Sequence, residues 1–188
     1  MTNPLHILVN LSSKIFNENI KICPWQNSIF ETLNKLKNDH SGKVGELFIE
    51  TLCINGDINH EYKGDTLSKD GTYDIIINNK KIEIKTAKIG IHNSFQHENI
   101  RTDGYDYLIF LDITPSNIYI TILPKFDLKI KSNIFERTPH LRKGSSDVYK
   151  IDFNIKILEK MIIKNNSLKI SDKTDLEEIY TFIENLID

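Results

Sequence analysis

The clearest alternation of apolar and charged positions lies between residues 71 and 88, which read GTYDIIINNKKIEIKTAK. Two short isoleucine-rich runs flank the polar tetrapeptide at 78–81, and such a pattern is typical of a β-hairpin. The loop is then either the pair Asn79-Lys80 or the whole tetrapeptide. Both loops give the same pairing of the two strands, so the sequence predicts a single hairpin register.

The predicted hairpin has one apolar face and one charged face. Directly opposed residues share a face of a sheet, and side chains alternate between faces along each strand. Asp74 therefore faces Lys85, Glu83 lies one pleat away, and these three groups surround Ile76. The opposite face consists only of isoleucine. Three charged side chains on a sheet face that would ordinarily bury apolar residues indicate a functional site. The alternative is that the hairpin is exposed and that the charged side chains form its solvated face.

Apolar residues at helical spacing predict three helices, the first over about residues 24–37. The second begins at a Ser41 cap and runs to about Cys53, and the last follows a capping box of Thr174 and Glu177. The apolar stripe of the second helix is predicted to comprise Val44, Leu47, Phe48, Thr51 and Leu52.

The first turn of the second predicted helix contains two glycines, Gly42 and Gly45. Each costs helix stability by up to about 1 kcal/mol, which indicates a close approach to another backbone. Glu46 borders the apolar stripe and is therefore able to point toward the sheet, with Glu50 as the alternative one turn later. The competing interpretation of Glu46 is a surface residue favoured by the helix dipole.

Continuous or alternating apolar runs predict further strands. Residues 107–113 (YLIFLDI) are typical of a strand buried on both faces, and residues 117–123 form the next strand. Residues 148–157 alternate and predict another strand, whereas 158–163 leave open the start of a helix. The polar segment 89–101 is predicted to be a loop that enters a short helix.

Composition indicates an ordinary soluble chain, because 39% of its 188 residues are hydrophobic and 27% are charged. No apolar run approaches the roughly 20 residues of a membrane span, and no basic stretch precedes the first apolar patch as a signal peptide requires. Cys23 and Cys53 lie too far apart for a CxxC zinc motif. We therefore expect a cytoplasmic protein.

The net charge of −2 conceals an uneven distribution. Residues 124–150 carry seven Lys or Arg against three acidic residues, whereas residues 171–188 carry six acidic residues against one Lys. The basic middle segment suits a nucleic-acid partner, and two solvated faces of opposite sign are the alternative.

The charged hairpin face suits a metal-assisted reaction. Asp74 and Glu83 at a separation of about 4 Å repel by about 4 kcal/mol at an effective dielectric constant of about 20, so a cation must offset the charge or one acid must protonate. Mg²⁺ prefers one or two carboxylates together with water and a substrate phosphate. The Ile84 carbonyl would be a further ligand at an open strand edge, and Lys85 would orient water. This set fits phosphodiester hydrolysis.

Asp74, followed after eight residues by Glu83-Ile84-Lys85, resembles the PD-(D/E)xK nuclease superfamily. The GKVGE segment at 42–46 resembles the family helix that often adds an acidic residue, and YLIFLDI with NIYITILPK resembles its later core strands. The resemblance covers about residues 41–124 and departs from the family where a residue other than proline precedes Asp74. It implies an α/β, restriction-endonuclease-like three-layer core, in which helices flank a central mixed sheet that carries the hairpin.

By this resemblance Asp74 and Glu83 would bind Mg²⁺, with Mn²⁺ as a substitute, Lys85 would position the nucleophilic water and Glu46 would assist. The passage is most similar to small type II restriction endonucleases, which cut double-stranded DNA to leave 5′-phosphate and 3′-hydroxyl ends and work beside a cognate methyltransferase. A repair nuclease or Holliday-junction resolvase on the same fold, or a non-catalytic DNA-binding module, are the alternatives. A two-fold dimer would suit a palindromic target, although one monomer acting twice remains open.

Residues predicted to contact DNA lie in two places. The first group follows the active-site strand, and the second is a basic loop suited to groove insertion; together they are Lys88, His92, Gln96, His97 and Arg101, then His140, Arg142 and Lys143. For each of His92 and His97, an ordinary surface or capping role is the alternative. The whole chain is predicted to be one nuclease domain, with an N-terminal helical part (1–40), a catalytic core (41–124), a DNA-recognition region (125–170) and a C-terminal helix (171–188).

Overall fold

The computed structural model describes residues 23–62, 72–90, 92–101, 103–125, 142–143 and 149–187. Within these ranges the helices are α1 (Glu31–Lys35), α2 (Asn38–Asn55), α3 (Ile155–Ile163) and α4 (Leu176–Leu186). The strands there are β1 (His60–Glu61), β2 (Ile75–Ile77), β3 (Lys80–Lys88), β4 (Ser94–Ile100), β5 (Tyr107–Ile113), β6 (Ile118–Pro124), β7 (Arg142–Lys143), β8 (Tyr149–Asn154) and β9 (Ser167–Ile170).

The strands form two sheets. The central sheet has the order β1-β2-β3-β5-β6-β9, and its β3–β5 pair is parallel whereas the other pairs are antiparallel. A smaller second sheet has the order β4-β8-β7 and is antiparallel. The predicted α/β architecture, a central mixed sheet flanked by helices, is confirmed.

Each face of the central sheet has its own apolar core. On one face the isoleucine side of the hairpin packs with α2 and α4, and its largest contributors include Ile49, Ile82, Leu111 and Ile183. On the other face the second sheet and α3 pack against β5 and β6, through residues that include Phe95, Phe110, Phe153 and Leu158. One of the two flanking layers is therefore largely a small sheet.

The hairpin turn is Asn78-Asn79, one position earlier than predicted. Both residues have positive φ, 48° and 65°, as a two-residue type I′ turn requires, and asparagine tolerates this conformation better than lysine. Ile75 consequently pairs with Ile82, two positions away from the predicted register. An even shift leaves the faces as predicted, but it places Asp74 beside Glu83, so the predicted pairing of Asp74 with the lysine was wrong.

Helix α2 begins at Asn38, earlier than predicted, and Ser41 donates its hydroxyl to the Lys37 carbonyl from within the first turn. It ends at Asn55, two residues beyond the predicted end, and Gly56 follows as the C-cap. Its buried face differs from the predicted stripe, because Val44 and Leu47 are exposed and the buried residues are Ser41, Gly45, Ile49, Leu52 and Cys53. Small residues at the start of this face let the helix lie close to β3.

The two glycines of α2 have different environments. A Cβ on Gly45 would collide with Thr86 Oγ1 and lie 3.1 Å from Thr86 Cβ, so a close approach does occur there, but to a side chain and not to the predicted backbone. A Cβ on Gly42 would meet no atom within 4 Å, so the same prediction was wrong for that position.

We expect Gly45→Ala to lower the free energy of unfolding by about 1–3 kcal/mol, because the added methyl overpacks the contact with β3. Gly42→Ala is the matched control, and it should raise that energy by about 0.5–1 kcal/mol because alanine favours the helix. Urea unfolding of the two variants beside wild type measures both changes. Equal effects of the two substitutions would contradict the packing described for α2.

Other elements were predicted with mixed success. Strand β5 has its predicted bounds, β6 is shifted by one residue, and β8 ends at Asn154 and not at 157, because α3 begins at Ile155. The segment 158–163, left open by the sequence, lies in that helix. The predicted loop and helix over 89–101 are wrong, because β4 pairs with β8 and buries Phe95 and His97 by alternation, then Ile100 after a shift of register. The predicted helix over 24–37 shortens to α1, since Asn27 has φ 60° and interrupts it.

The C-terminal region also differs in detail. Asp175 caps α4 by accepting from the Glu177 N–H, whereas Thr174 accepts from the Ser171 N–H, so the predicted capping box was wrong. Strand β9 was not predicted, and it extends the central sheet beyond residue 124.

Candidate active site

Asp74 and Glu83 lie side by side where β2 begins. The Asp74 N–H donates to the Ile82 carbonyl at 2.8 Å, and Asp74 Oδ2 accepts from the Ile84 N–H at 2.7 Å. These two hydrogen bonds join Asp74 to the residues on either side of Glu83. The main chain of β3 therefore holds one acidic residue directly beside another.

Lys85 neutralises part of this negative charge. Its Nζ lies 2.5 Å from Glu83 Oε1, and the two residues share a face of β3. Glu83 is only 6% exposed, and the Lys85 side chain is 21% exposed. This burial excludes the alternative in which the charges form the solvated side of an exposed hairpin.

The two acidic side chains carry more negative charge than one ammonium offsets. Burial, and next the negative charge of Glu83, raise the pKa of Asp74 to about 7. Burial also raises the pKa of Glu83, while Lys85 opposes that rise. The pair therefore favours the uptake of a positive charge, either as a proton or as a cation.

Glu46 approaches the same two acids from α2. Its Oε2 accepts from Lys43 Nζ at 3.2 Å and from the Tyr62 hydroxyl at 3.1 Å, and Lys43 Nζ also donates to that hydroxyl at 2.6 Å. The charge of Glu46 helps to raise the pKa of both Asp74 and Glu83, so it lies within their electrostatic reach. Lys43 and Tyr62 thus fix the position of this third carboxylate.

The oxygen atoms at this place suit a hard divalent cation such as Mg²⁺. The Ile84 N–H points to Asp74, and the carbonyl of a strand residue lies on the same edge as its N–H. Pairing with β2 reaches only from Ile77 to Ile75, opposite Ile82, and so does not extend to Ile84. Among the described residues no three His, Cys, Asp or Glu side chains are arranged to hold a metal ion. Two carboxylates and a main-chain carbonyl are therefore the donor set that this site offers.

Asp74, Ile84 and Lys85 form part of the lining of a cleft of about 610 Å³. One wall is the start of α2, where Gly42 and Glu46 line the cleft, and the opposite wall is β4. Glu50, the alternative to Glu46, does not line the cleft. It lies near Cys53, and after burial its negative charge is the second cause of the raised pKa of the Cys53 thiol. Of the two glutamates predicted from the helix, the structure thus brings Glu46 to the site.

The predicted DNA contacts near β3 and β4 lie in different settings. His92 and Gln96 are exposed and line the cleft. Arg101 lies close enough to Glu83 for its positive charge to lower the pKa of the Glu83 carboxyl. Arg101 therefore places positive charge beside the site. Lys88 also lines the cleft, but its Nζ donates to the carbonyls of Asn34 (3.2 Å) and Leu36 (2.8 Å) at the end of α1. Burial lowers the pKa of Lys88.

His97 requires a correction. Its ring is buried, 1% of the residue is exposed, and Nε2 lies 2.9 Å from Asp112 Oδ1. A buried ring does not reach DNA, so the predicted contact between His97 and DNA was wrong. The ring instead forms a hydrogen bond with Asp112 inside the protein. The reason is the strand character of β4, which sends His97 to the same side as Phe95.

The predicted basic loop is only partly within the described residues. His140 lies outside them, whereas the backbones of Arg142 and Lys143 form β7 and pair with Lys150 and Tyr149 of β8. Their predicted role in groove insertion stays a prediction.

Sequence reasoning missed several residues that shape the site. Lys43 was detectable in principle, because it precedes Glu46 by three helical positions. Tyr62 had no local signal, since it reaches Glu46 only through the fold. Lys150 donates to Gln96 Oε1 at 3.2 Å and to Glu98 Oε1 at 2.8 Å, and only the pairing of β4 with β8 brings these groups together.

Comparisons with known proteins leave the family open. No family model and no curated protein matches the chain. A solved structure of a bacterial homing endonuclease, I-Ssp6803I, is similar with a TM-score of 0.38 and 10% identity, over 56% of this chain and 86% of that one. In the described part of the chain, no helix combines the length and apolar character that a membrane span needs. A similarity of this size leaves the function to be argued from the site.

Proposed function

We propose that this chain is a magnesium-dependent endodeoxyribonuclease of the type II restriction kind, which hydrolyses phosphodiester bonds in double-stranded DNA. The observation that carries this proposal is the pairing of half-buried Asp74 with buried Glu83, with Lys85 Nζ 2.5 Å from Glu83 and a cleft that Asp74 and Lys85 line. One acid and an ammonium in the lining of a cleft, with a second acid directly beneath them, suit phosphodiester hydrolysis, which needs charge compensation and orientation of water.

Asp74, Glu83 and the Ile84 carbonyl would hold the cation. When bound there, Mg²⁺ supplies positive charge to the phosphate under attack and lowers the pKa of water. The hydrogen bond from the Ile84 N–H keeps Asp74 in place before the cation arrives. The acids are thus preorganised by the main chain.

Lys85 has two tasks in this proposal. Its ammonium donates to the attacking water and so directs a lone pair toward phosphorus, and it stabilises the negative charge that develops on the phosphate oxygens. Glu46, held by Lys43 and Tyr62, accepts a hydrogen bond from the same water at the α2 side of the cleft. Arg101 and the exposed residues of β4 contact the DNA backbone and base edges.

The proposal is tested by incubating the protein with unmethylated phage DNA and Mg²⁺, followed by sequencing of the ends. Fragments with 5′-phosphate ends at one recurring sequence are expected, and methylated DNA from a host with the cognate methyltransferase should resist. Cleavage confined to four-way junctions would instead identify a Holliday-junction resolvase. Failure to cut any nucleic acid with Mg²⁺ or Mn²⁺ would overturn the proposal in favour of a DNA-binding module.

Removal of the Tyr62 hydroxyl tests the position of Glu46. We expect Tyr62→Phe to lower kcat for DNA cleavage about tenfold, because groups that orient a catalytic carboxylate typically contribute on this scale. Glu46→Gln should lower kcat more strongly. Tyr180→Phe, in the core between α4 and Gly56, is the matched control and should cleave like wild type. Wild-type kcat in Tyr62→Phe would exclude this role for Tyr62.

A further inference from the structure

A buried polar pair joins the two sheets beside the proposed active site. His97 belongs to β4 of the second sheet, and Asp112 belongs to β5 of the central sheet. His97 Nε2 and Asp112 Oδ1 are 2.9 Å apart, and neither side chain has any exposed surface. The proposed reaction uses neither residue.

The surroundings of this pair are aromatic. The His97 ring lies 4.3 Å from the ring of Phe110 and 5.2 Å from that of Phe153, measured between centroids. Within the described residues, His97 Nδ1 and Asp112 Oδ2 have no hydrogen-bond partner. Burial raises the pKa of Asp112, and the nearby His97 opposes that rise. Apolar residues of similar size generally stabilise such a place equally well or better, so stability alone does not account for the pair.

The pair connects the floor of the cleft with one of its walls. On the central sheet, Phe110 is the β5 partner of Lys85, and Asp112 is the partner of Ala87, the next residue on that face of β3. On the second sheet, Gln96 and Glu98 flank His97 and line the cleft. The histidine therefore lies between the residues of the wall and the row of side chains that begins with Lys85.

We propose that His97 and Asp112 are positioning residues, which fix the β4 wall relative to the β3 floor and thereby set where bound DNA lies over the acids. This inference rests on the proposed nuclease function. A hydrogen bond holds its partners at one distance and one angle, whereas the aromatic contacts around it tolerate sliding. Gln96 and Glu98 move with β4, so the same bond fixes the side chains that face the DNA.

The first test replaces the pair with apolar residues in His97→Phe/Asp112→Leu. This variant should fold with a melting temperature no lower than wild type. Its KM for DNA should rise about tenfold while kcat at saturating DNA changes less than about twofold, because the floor is untouched. Asp112→Asn retains an acceptor at the same place and should keep a KM within about threefold of wild type. A wild-type KM in the folded double variant, or a KM in Asp112→Asn as poor as in the double variant, would overturn the proposal.

Phe95→Leu is the matched control, because Phe95 is fully buried in the same core on the same strand but leaves the pair intact. It should lower the melting temperature and leave KM at the wild-type value. A rise in KM equal to that of the double variant would show that general loosening of the second sheet suffices, and would contradict a specific role for the pair.

The second test measures position without cleavage. Spin labels at Glu98→Cys and Lys81→Cys, both exposed, report the distance between the two sheets once the exposed Cys23 is replaced by serine. The distance distribution should be narrow with the native pair and clearly broader in His97→Phe/Asp112→Leu. Broadening, together with no cutting of DNA by the unlabelled wild-type protein, would confirm the positioning role while the proposed function fails. An unchanged distribution in an active nuclease would overturn the positioning role alone.

Discussion

Replacement of Lys85 by alanine is expected to abolish DNA cleavage while DNA binding persists. The ammonium is the positive group 2.5 Å from Glu83, and in the proposed reaction it orients water and stabilises charge on the phosphate. Loss of one preorganised donor of this kind lowers kcat by about 100- to 1000-fold. Single-turnover cleavage of a cognate duplex measures the loss, and a gel-shift assay with Ca²⁺ in place of Mg²⁺ measures binding. Asp74→Ala should have the same two effects.

Lys81→Ala is the matched control for Lys85→Ala. Lys81 lies on the same strand and the same face, but it is exposed near the hairpin turn, where its Nζ lies 5.2 Å from the centre of the Tyr73 ring. Its loss should leave kcat unchanged. Cutting at the wild-type rate in Lys85→Ala or Asp74→Ala would refute the assignment of the site, regardless of the activity of Lys81→Ala.

Mg²⁺ is expected to raise the melting temperature of the wild-type protein, and chelation with EDTA should reverse the rise. Binding at a concentration about 100-fold above the dissociation constant adds about 2.7 kcal/mol to the free energy of unfolding. For a chain of this size that corresponds to roughly 5–10 °C. The physical reason is relief of the repulsion between Asp74 and Glu83, which a cation between them would offset. Differential scanning fluorimetry with and without Mg²⁺ measures the shift.

Asp74→Asn should abolish the rise in melting temperature with Mg²⁺. Without metal, the variant should be more stable than wild type. The pKa of Asp74 is raised to about 7, so its ionised form destabilises the metal-free fold as the pH rises through 7. The amide removes that charge and can still accept the Ile84 N–H. Without metal the variant should therefore melt above wild type at about pH 8, with a smaller gain at about pH 5. A variant that melts lower than wild type at pH 8, or still responds to Mg²⁺, would argue against a cation site here.

The features that were predicted correctly from the sequence depend only on the apolar or polar character of residues close together in the chain. Strand β5 was predicted because Tyr107–Ile113 is apolar at every position except Asp112, as is typical of a strand covered on both faces. The two faces of the hairpin followed from alternation alone, which does not depend on the exact position of the turn. Glu46 of α2 was predicted from its place beside the predicted apolar stripe, and it also lies next to Gly45 on the buried face that the structure has instead.

The parts that sequence did not predict depend on partners that are distant in the chain. His97 reads as a polar residue in a polar segment, and only Asp112, fifteen residues later, makes its burial tolerable. Tyr62 reaches Glu46 across sixteen residues, and no local pattern indicates such a contact. The hairpin register depended on whether Asn78 or Lys80 joins Asn79 in the turn. Both choices are polar, and the difference is one of backbone conformation.

The tight Asn78-Asn79 turn limits the insertions and deletions that the hairpin tolerates. Strand alternation has a period of two, so insertion or deletion of two residues at the turn returns every side chain to its own layer. A change of one residue on one arm would instead send the isoleucines of that arm to the side of the cleft and its acids into the core. Related sequences that keep this chemistry should therefore vary in hairpin length by even steps, or compensate an odd step with a β-bulge.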